Sequence, residues 1–372
     1  MQKKLTVAAA AVCAALGTLA SAPVMAQSSV QLYGIVDAAV RHTNNEGPAG
    51  HPDATVNQMI GGGMSQSRWG INVSEDLGGG LSAVANLENR FGLDTGENAS
   101  PYFQQSWVGL QSTSFGRITM GRQYNVLFDL VTTTYASYPY SPYFDAYKPE
   151  IGLSLGARAN NMIKYFAQKG PFRGALQVSA QEDSPTGGRT HGGYLRYGDG
   201  GLAAGIAYQN YAFGSGKTID AVTFGGSYRT GPWYFNTGYG RNKVDAGLSP
   251  IDRAVLSAFW GGGSNGGFGG PAFLAANKRE LVTVGVGYQA TPQINIGAHY
   301  FHAKQSGDTS SADGKADFLT AALDYAFSKR TDAYVEIDTT RLKGDISLNG
   351  SDGKANGATH RQGFTVGLRH RF

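Results

Sequence analysis

The stretch Phe364-Thr365-Val366-Gly367-Leu368-Arg369-His370-Arg371-Phe372 ends the chain, and it alternates between two kinds of side chain. The even-numbered positions are mainly apolar, whereas the odd-numbered positions are polar or glycine. Because successive side chains of a β-strand point to opposite faces, the stretch predicts a strand with one apolar and one polar face. A soluble β-sandwich and a transmembrane β-barrel both contain such strands, so the remainder of the chain must distinguish them.

The same alternation recurs through the chain. Residues 282–288, 294–300 and 319–327 each place Val, Ile, Leu, Tyr or Phe on one face, and mostly Gly, Thr, Asn, Ala or Asp on the other. Repeated alternating segments of about ten residues are typical of transmembrane barrels. Tyrosine, phenylalanine and tryptophan recur near the strand ends on the apolar face, where aromatic rings suit a membrane interface.

The connections between these segments are of two kinds. Short ones are rich in Gly, Pro, Ser or Asp, which tight turns select, and longer ones alternate with them. The seven short connections are 76–80, 112–116, 169–172, 198–201, 229–232, 290–293 and 328–331. The eight longer ones are centred on 43–64, 92–101, 125–157, 182–191, 212–218, 244–277, 304–316 and 343–361. Fifteen connections predict an all-β, 16-stranded antiparallel transmembrane barrel with short turns at one end and long loops at the other.

The first 26 residues have the pattern of an export signal. Lys3 and Lys4 precede an Ala-rich apolar run, and small residues lead to Ala26. We predict a cleaved signal peptide over 1–26 and a single barrel domain over 27–372. Cys13 lies within the predicted signal peptide, so the mature barrel would contain no disulfide.

Composition excludes several classes of protein. Without Lys3 and Lys4, 29 basic residues oppose 27 acidic residues, a net charge near +2 that gives no indication of nucleic-acid binding. The chain contains 54 glycines and has a mean hydropathy of -0.26, and its one apolar run of membrane-spanning length is the predicted signal peptide. Amphipathic helices of the kind that a soluble enzyme usually contains are almost absent from the pattern.

Two short motifs resemble nucleotide-binding sequences, but the residues around them do not match those of a nucleotide site. Residues 214–218 match only the end of a phosphate-binding loop, because Tyr211 stands where its first glycine should be and a strand follows. Residues 261–266 match a dinucleotide fingerprint only within a glycine-rich run. No motif nominates a nucleophile or a metal set, so we predict no enzymatic activity, no cofactor and no metal.

Several motifs together resemble the Gram-negative general-diffusion porins, in particular the beta-proteobacterial type. The resemblance covers the chain from residue 28 to its end. The motifs are Val30-Gln31-Leu32-Tyr33-Gly34-Ile35-Val36-Asp37, Ser67-Arg68-Trp69-Gly70-Ile71, Glu75-Asp76-Leu77-Gly78-Gly79-Gly80-Leu81, Trp107-Val108-Gly109-Leu110, Phe115-Gly116-Arg117, Gly121-Arg122-Gln123, and residues 325–331 and 367–372.

The resemblance implies a homotrimer of barrels in the outer membrane, in contact with its lipids. It also implies a third long loop, 125–157, that folds inward and narrows the lumen. This loop carries the candidate acidic residues Asp129, Asp145 and Glu150. Strand parity places candidate basic wall residues on the lumen side, and these are Arg41, Arg68, Arg90, Arg158 and Lys164. The terminal Phe372 is similar to the family's signal for the barrel-assembly machinery.

The function implied is passive diffusion of ions and small hydrophilic solutes through a water-filled channel. Acids on the loop and cations on the wall would create a transverse field, and the excess of cations predicts a weak anion preference. Two alternatives stay open at this point. One is a substrate-specific channel, and the other is a barrel whose glycine-rich loop 244–277 binds a surface partner as an adhesin or receptor.

Overall fold

The computed structural model describes residues 28–136, 153–180, 188–260, 276–308 and 310–372. The predicted signal peptide lies outside these ranges. The described strands are β1 (Ser29–Thr43), β2 (Val56–Gly61), β3 (Arg68–Gly78), β4 (Leu81–Phe91), β5 (Asn98–Ser112), β6 (Gly116–Tyr124), β7 (Arg158–Lys169), β8 (Phe172–Ser179), β9 (Arg189–Asp199), β10 (Leu202–Ala212), β11 (Thr218–Thr230), β12 (Trp233–Val244), β13 (Ala276–Gln289), β14 (Ile294–Gly307), β15 (Gly314–Ala326), β16 (Thr331–Gly344) and β17 (His360–Arg371). The helices are α1 (Val126–Thr134), α2 (Pro250–Phe259) and a short 3-10 turn at Ser310–Ala312.

All neighbouring strands pair antiparallel, and the sheet closes on itself through β1. One edge of β1 pairs with β17, from Ile35 opposite Arg371 to Thr43 opposite Gly363. The other edge pairs with both β2 and β3, so these two segments occupy one position in the barrel, interrupted at residues 62–67. The described segments therefore form 16 strand positions, which confirms the predicted barrel.

The seven short connections lie where the sequence predicted them. Three of them are two-residue turns whose first residue is a glycine with positive φ: Gly170, Gly200 and Gly231. Tight hairpins require positive φ, and glycine adopts it without a steric penalty from a Cβ atom. These turns define one end of the barrel, and the described parts of the longer connections lie towards the other.

Apolar and polar side chains lie on opposite faces of the barrel wall. On β17, Val366 and Leu368 are exposed on the outer face, whereas Thr365 and Arg369 are buried inside. Apolar side chains on the outer face suit contact with lipid tails. Closure of the sheet pairs the backbone groups that would otherwise be free at an edge. No helix in the described part of the chain combines the length and apolar character needed to cross a membrane.

The interior is partly filled at the long-loop end. The helix α1, the helix α2 and the buried Trp260 share one apolar cluster with inner-face residues of β8 to β13. A second apolar cluster joins the inner faces of β13 to β16 to Ile346 and Leu348 of the last long loop. These clusters confine the open part of the lumen and position the constriction described next.

Candidate pore constriction

The loop that follows β6 enters the barrel as α1, which confirms the predicted inward fold of the third loop. Asn125 begins the helix, because its side-chain oxygen accepts from the Phe128 N–H at 2.9 Å. Its amide nitrogen donates to Ser154 O at 2.6 Å, joining the two ends of the loop. The Val126 N–H donates to the Gln177 side chain on β8 at 2.8 Å. These bonds satisfy backbone groups that a helix start leaves without partners.

Apolar contacts hold α1 against the wall formed by β8 to β11. Leu127 and Leu130 are fully buried, and Tyr135 follows them at the end of the helix. Glycines on the inner face make room for these side chains. A Cβ atom at Gly205 would lie 2.5 Å from Leu130 Cδ1, and one at Gly238 would collide with the Tyr135 ring. The wall is thus shaped to hold α1 in place.

Cations and one carboxylate meet on the β3–β4 wall. Glu88 is buried, and its carboxylate lies 3.1 Å from Arg90 Nε and 3.9 Å from Arg68 Nη1. Tyr33 on β1 also donates to Glu88, at 3.2 Å. Arg68 and Arg90 are register partners on neighbouring strands, so their charges face the same side. The carboxylate offsets the repulsion that two adjacent cations would otherwise create.

Tyr124 connects this cluster to the loop. Arg158 at the start of β7 donates to Tyr124 Oη at 3.0 Å, and its guanidinium lies 4.6 Å from the centre of the ring. Arg90 donates to the same oxygen. The ring stacks on Phe128 of α1, with centroids 4.3 Å apart. A shift of α1 would therefore be transmitted to both guanidinium groups.

The predicted residues Asp129 and Lys164 form a direct ion pair. Lys164 Nζ lies 2.8 Å from Asp129 Oδ2 and donates to the Tyr124 carbonyl, also at 2.8 Å. We predicted the two charges on opposite sides of the narrowest section, and the structure brings them into contact. The other two predicted loop acids, Asp145 and Glu150, lie outside the described residues.

Arg41 lies at the barrel seam formed by β1, β16 and β17. Its guanidinium donates to both oxygens of Asp338, at 2.6 and 3.1 Å, and to Thr365 at 2.8 Å. The residue is buried. The segment 62–67 lies over the same seam, because the Ser65 N–H donates to Asp37 at 2.7 Å. A bidentate pair of this kind fixes the guanidinium in the wall.

Phe372 completes the barrel closure. Its N–H donates to Gly34 O and its carbonyl accepts from the Gly34 N–H, both at 3.1 Å. Its ring covers Gly34, where a Cβ atom would lie 2.2 Å from the ring. The side chain is exposed on the outer face, as its parity predicted.

Two constriction residues were missed by the sequence analysis. Glu88 shares the inward parity of Arg90, two positions along the same strand, so parity alone could have nominated it. Tyr124 ends β6 directly before the loop, and nothing in the sequence indicates that its hydroxyl binds two arginines. Among the described residues, no three His, Cys, Asp or Glu side chains converge as a metal site requires.

Comparison with known proteins is consistent with this geometry. A family model described as Gram-negative porin matches residues 8–345. Outer membrane porin protein 32 of Delftia acidovorans is 35% identical over 57% of this chain and 63% of its own length. An outer membrane porin protein of Bordetella pertussis is 27% identical over 93% of this chain and 95% of its own.

Solved structures show the same fold. One, an anion-selective porin from Comamonas acidovorans, aligns with a TM-score of 0.71 at 24% identity, covering 93% of this chain and all of that chain. From the matching family model and the barrel architecture, we conclude that this chain belongs to the Gram-negative porin family and resides in the outer membrane.

Proposed function

We propose that the barrel is a passive channel for ions and small hydrophilic solutes with a weak preference for anions, and that it has no enzymatic activity. The observation that carries the proposal is the charge balance beside α1. Four cations stand there against two described carboxylates, Glu88 and Asp129. The cations are Arg68, Arg90, Arg158 and Lys164.

The preference is weak for a physical reason. Lys164 is paired with Asp129, and Arg68 and Arg90 share Glu88, so most of the positive charge is compensated locally. At physiological salt, exposed charges act over about 8 Å, which limits the influence of the net excess. A polar solute can align in the residual field, whereas a bulky apolar solute must lose hydration without compensation.

We further propose that residues 1–26 are removed and that the mature barrel assembles as a homotrimer in contact with outer-membrane lipids. The family resemblance supports the trimer, and the apolar outer faces supply surface for both lipid and neighbouring subunits. We also propose that Phe372 is read by the barrel-assembly machinery, since it is the exposed end of the closing strand. N-terminal sequencing of protein from outer membranes tests the cleavage site.

Single-channel recording in a planar bilayer tests the function. Purified protein in a salt gradient should give conductance steps in groups of three and a modest reversal potential with the sign of anion preference. Protein that inserts as a barrel but carries no current would refute the open channel. A reversal potential of the opposite sign would refute the anion preference while leaving the channel in place.

A further inference from the structure

Three arginines lie on the inner face below α1, near the short-turn end, and β7 separates Arg117 from the other two. Arg117 is the second residue of β6, Arg173 is the second residue of β8, and Arg196 lies three residues before the end of β9. Arg173 and Arg196 are direct register partners on neighbouring strands. Like charges placed directly opposite each other repel, so this pair lowers barrel stability unless something compensates it.

The described contacts of these arginines are with neutral groups. Both Arg117 and Arg173 lie on the ring of Phe166, 5.5 and 5.6 Å from its centroid. Arg173 donates to the Gln168 side chain at 3.3 and 3.2 Å, and Arg196 donates to Thr133 O at 3.1 Å. These partners are neutral. Within the described ranges, none of the three arginines forms an ion pair with a carboxylate.

The arginines face open space. A cavity of about 980 Å³ is lined by Arg117 and Arg173 and extends to the Asp129–Lys164 pair. A second cavity, of about 410 Å³, is lined by Arg196 and by residues at the end of α1. Thr133 lines both cavities. A solute that passes the constriction towards the short-turn end therefore meets these guanidinium groups.

We propose that Arg117, Arg173 and Arg196 form a binding site for small doubly charged oxyanions, such as inorganic phosphate or a short dicarboxylate. A guanidinium has five donors in a planar fork, and the described contacts use at most two of them on each of Arg173 and Arg196. An oxyanion placed between these two side chains would accept from both and remove their mutual repulsion. The inference rests on the proposed diffusion function only for the route by which the anion arrives.

Current block tests the site in the working channel. Phosphate added at constant ionic strength on the short-turn side should reduce the chloride current of the unmodified protein. Each charged hydrogen bond has a net strength that corresponds to at least about a tenfold change in binding, so Arg173→Gln and Arg196→Gln should each raise the half-blocking concentration about tenfold. Lys329→Gln is the matched control, since it removes one exposed cation from the turn between β15 and β16, lines neither cavity and should leave the block unchanged.

Fluorescence tests binding without requiring current. Trp107 lines the larger cavity, and the Arg117 guanidinium lies 5.6 Å from its ring centroid. Phosphate and succinate should change the emission of the folded protein in detergent, and Trp107→Phe should remove that change. Acetate, with a single carboxylate, should bind more weakly than succinate.

The outcomes separate the two proposals. Absence of current in the unmodified protein would refute the diffusion function, and the fluorescence titration would still report on the site. Equal phosphate block of the unmodified protein and Arg173→Gln, or unaltered Trp107 emission at all phosphate concentrations, would refute the site. Acetate binding as tightly as succinate would refute bridging by two arginines.

Discussion

Glu88→Gln removes the carboxylate around which Arg68 and Arg90 are arranged, while keeping the size of the side chain. The change adds one net positive charge to the constriction. At a separation of about 8 Å, two unit charges in water interact by about 0.5 kcal/mol, and this sets the scale for an ion that passes the buried Glu88. The change lowers the energy of an anion and raises that of a cation by this amount. The two contributions amount to about 1 kcal/mol, or about a fivefold increase in the anion-to-cation permeability ratio.

The reversal potential in a salt gradient measures this ratio. The control is Asp352→Asn, which removes a carboxylate from an exposed position in the last long loop and should leave the ratio unchanged. Removing one partner of a buried ion pair destabilises a protein, so folding is checked by heat-dependent migration in gels. A folded Glu88→Gln barrel with an unchanged reversal potential would show that Glu88 does not influence the permeation path.

Three further predictions concern the wall, the loop and the closure. Arg68→Ala should lower anion preference and alter single-channel conductance, and an unchanged reversal potential would exclude Arg68 from the constriction. Leu130→Ala removes a fully buried contact between α1 and the wall, at a cost of about 2 to 5 kcal/mol of stability. The helix should then move more, and the open-channel current should become noisier. An unchanged noise level would show that the hydrogen bond from Asn125 to Ser154 is enough to hold the loop. Phe372→Ser removes the ring over Gly34 and should reduce the amount of folded barrel in the outer membrane, measured on gels, and equal amounts would contradict a role in assembly.

The fold could be predicted because its determinants are local. Strand alternation assigns Val366 and Leu368 to one face and Arg369 to the other without knowledge of any partner strand. Turns such as the one at Gly170 also depend only on adjacent residues. The count of sixteen followed from these two local features. The split of one strand position at 62–67 was not predictable, since it depends on Asp37 and Tyr334 of other strands.

The constriction was less predictable because its contacts join residues far apart in sequence. Strand alternation predicts that Arg41 points inward. It cannot show that the two terminal nitrogens of Arg41 donate to Asp338, which is 297 residues away. Asp129 and Lys164 show the same difficulty. The sequence assigns one to the loop and the other to a strand, and it does not give the distance between them. Inward direction is a property of one strand, whereas the partner of a charge is a property of the closed barrel.

The two groups of cations in this barrel differ in what compensates them, and this difference separates selectivity from binding. Beside α1, Arg90 and Lys164 are held by carboxylates, so the constriction shows only a small net charge to a passing ion. Below α1, Arg173 and Arg196 contact neutral oxygens and keep their charge available to a ligand. Glu88→Gln should therefore raise the anion preference and leave phosphate block unaltered, whereas Arg173→Gln should weaken phosphate block and lower the anion preference. If Glu88→Gln changed the phosphate block as much as Arg173→Gln does, the constriction and the arginine group would be one electrostatic unit, and the separate binding site would have to be abandoned.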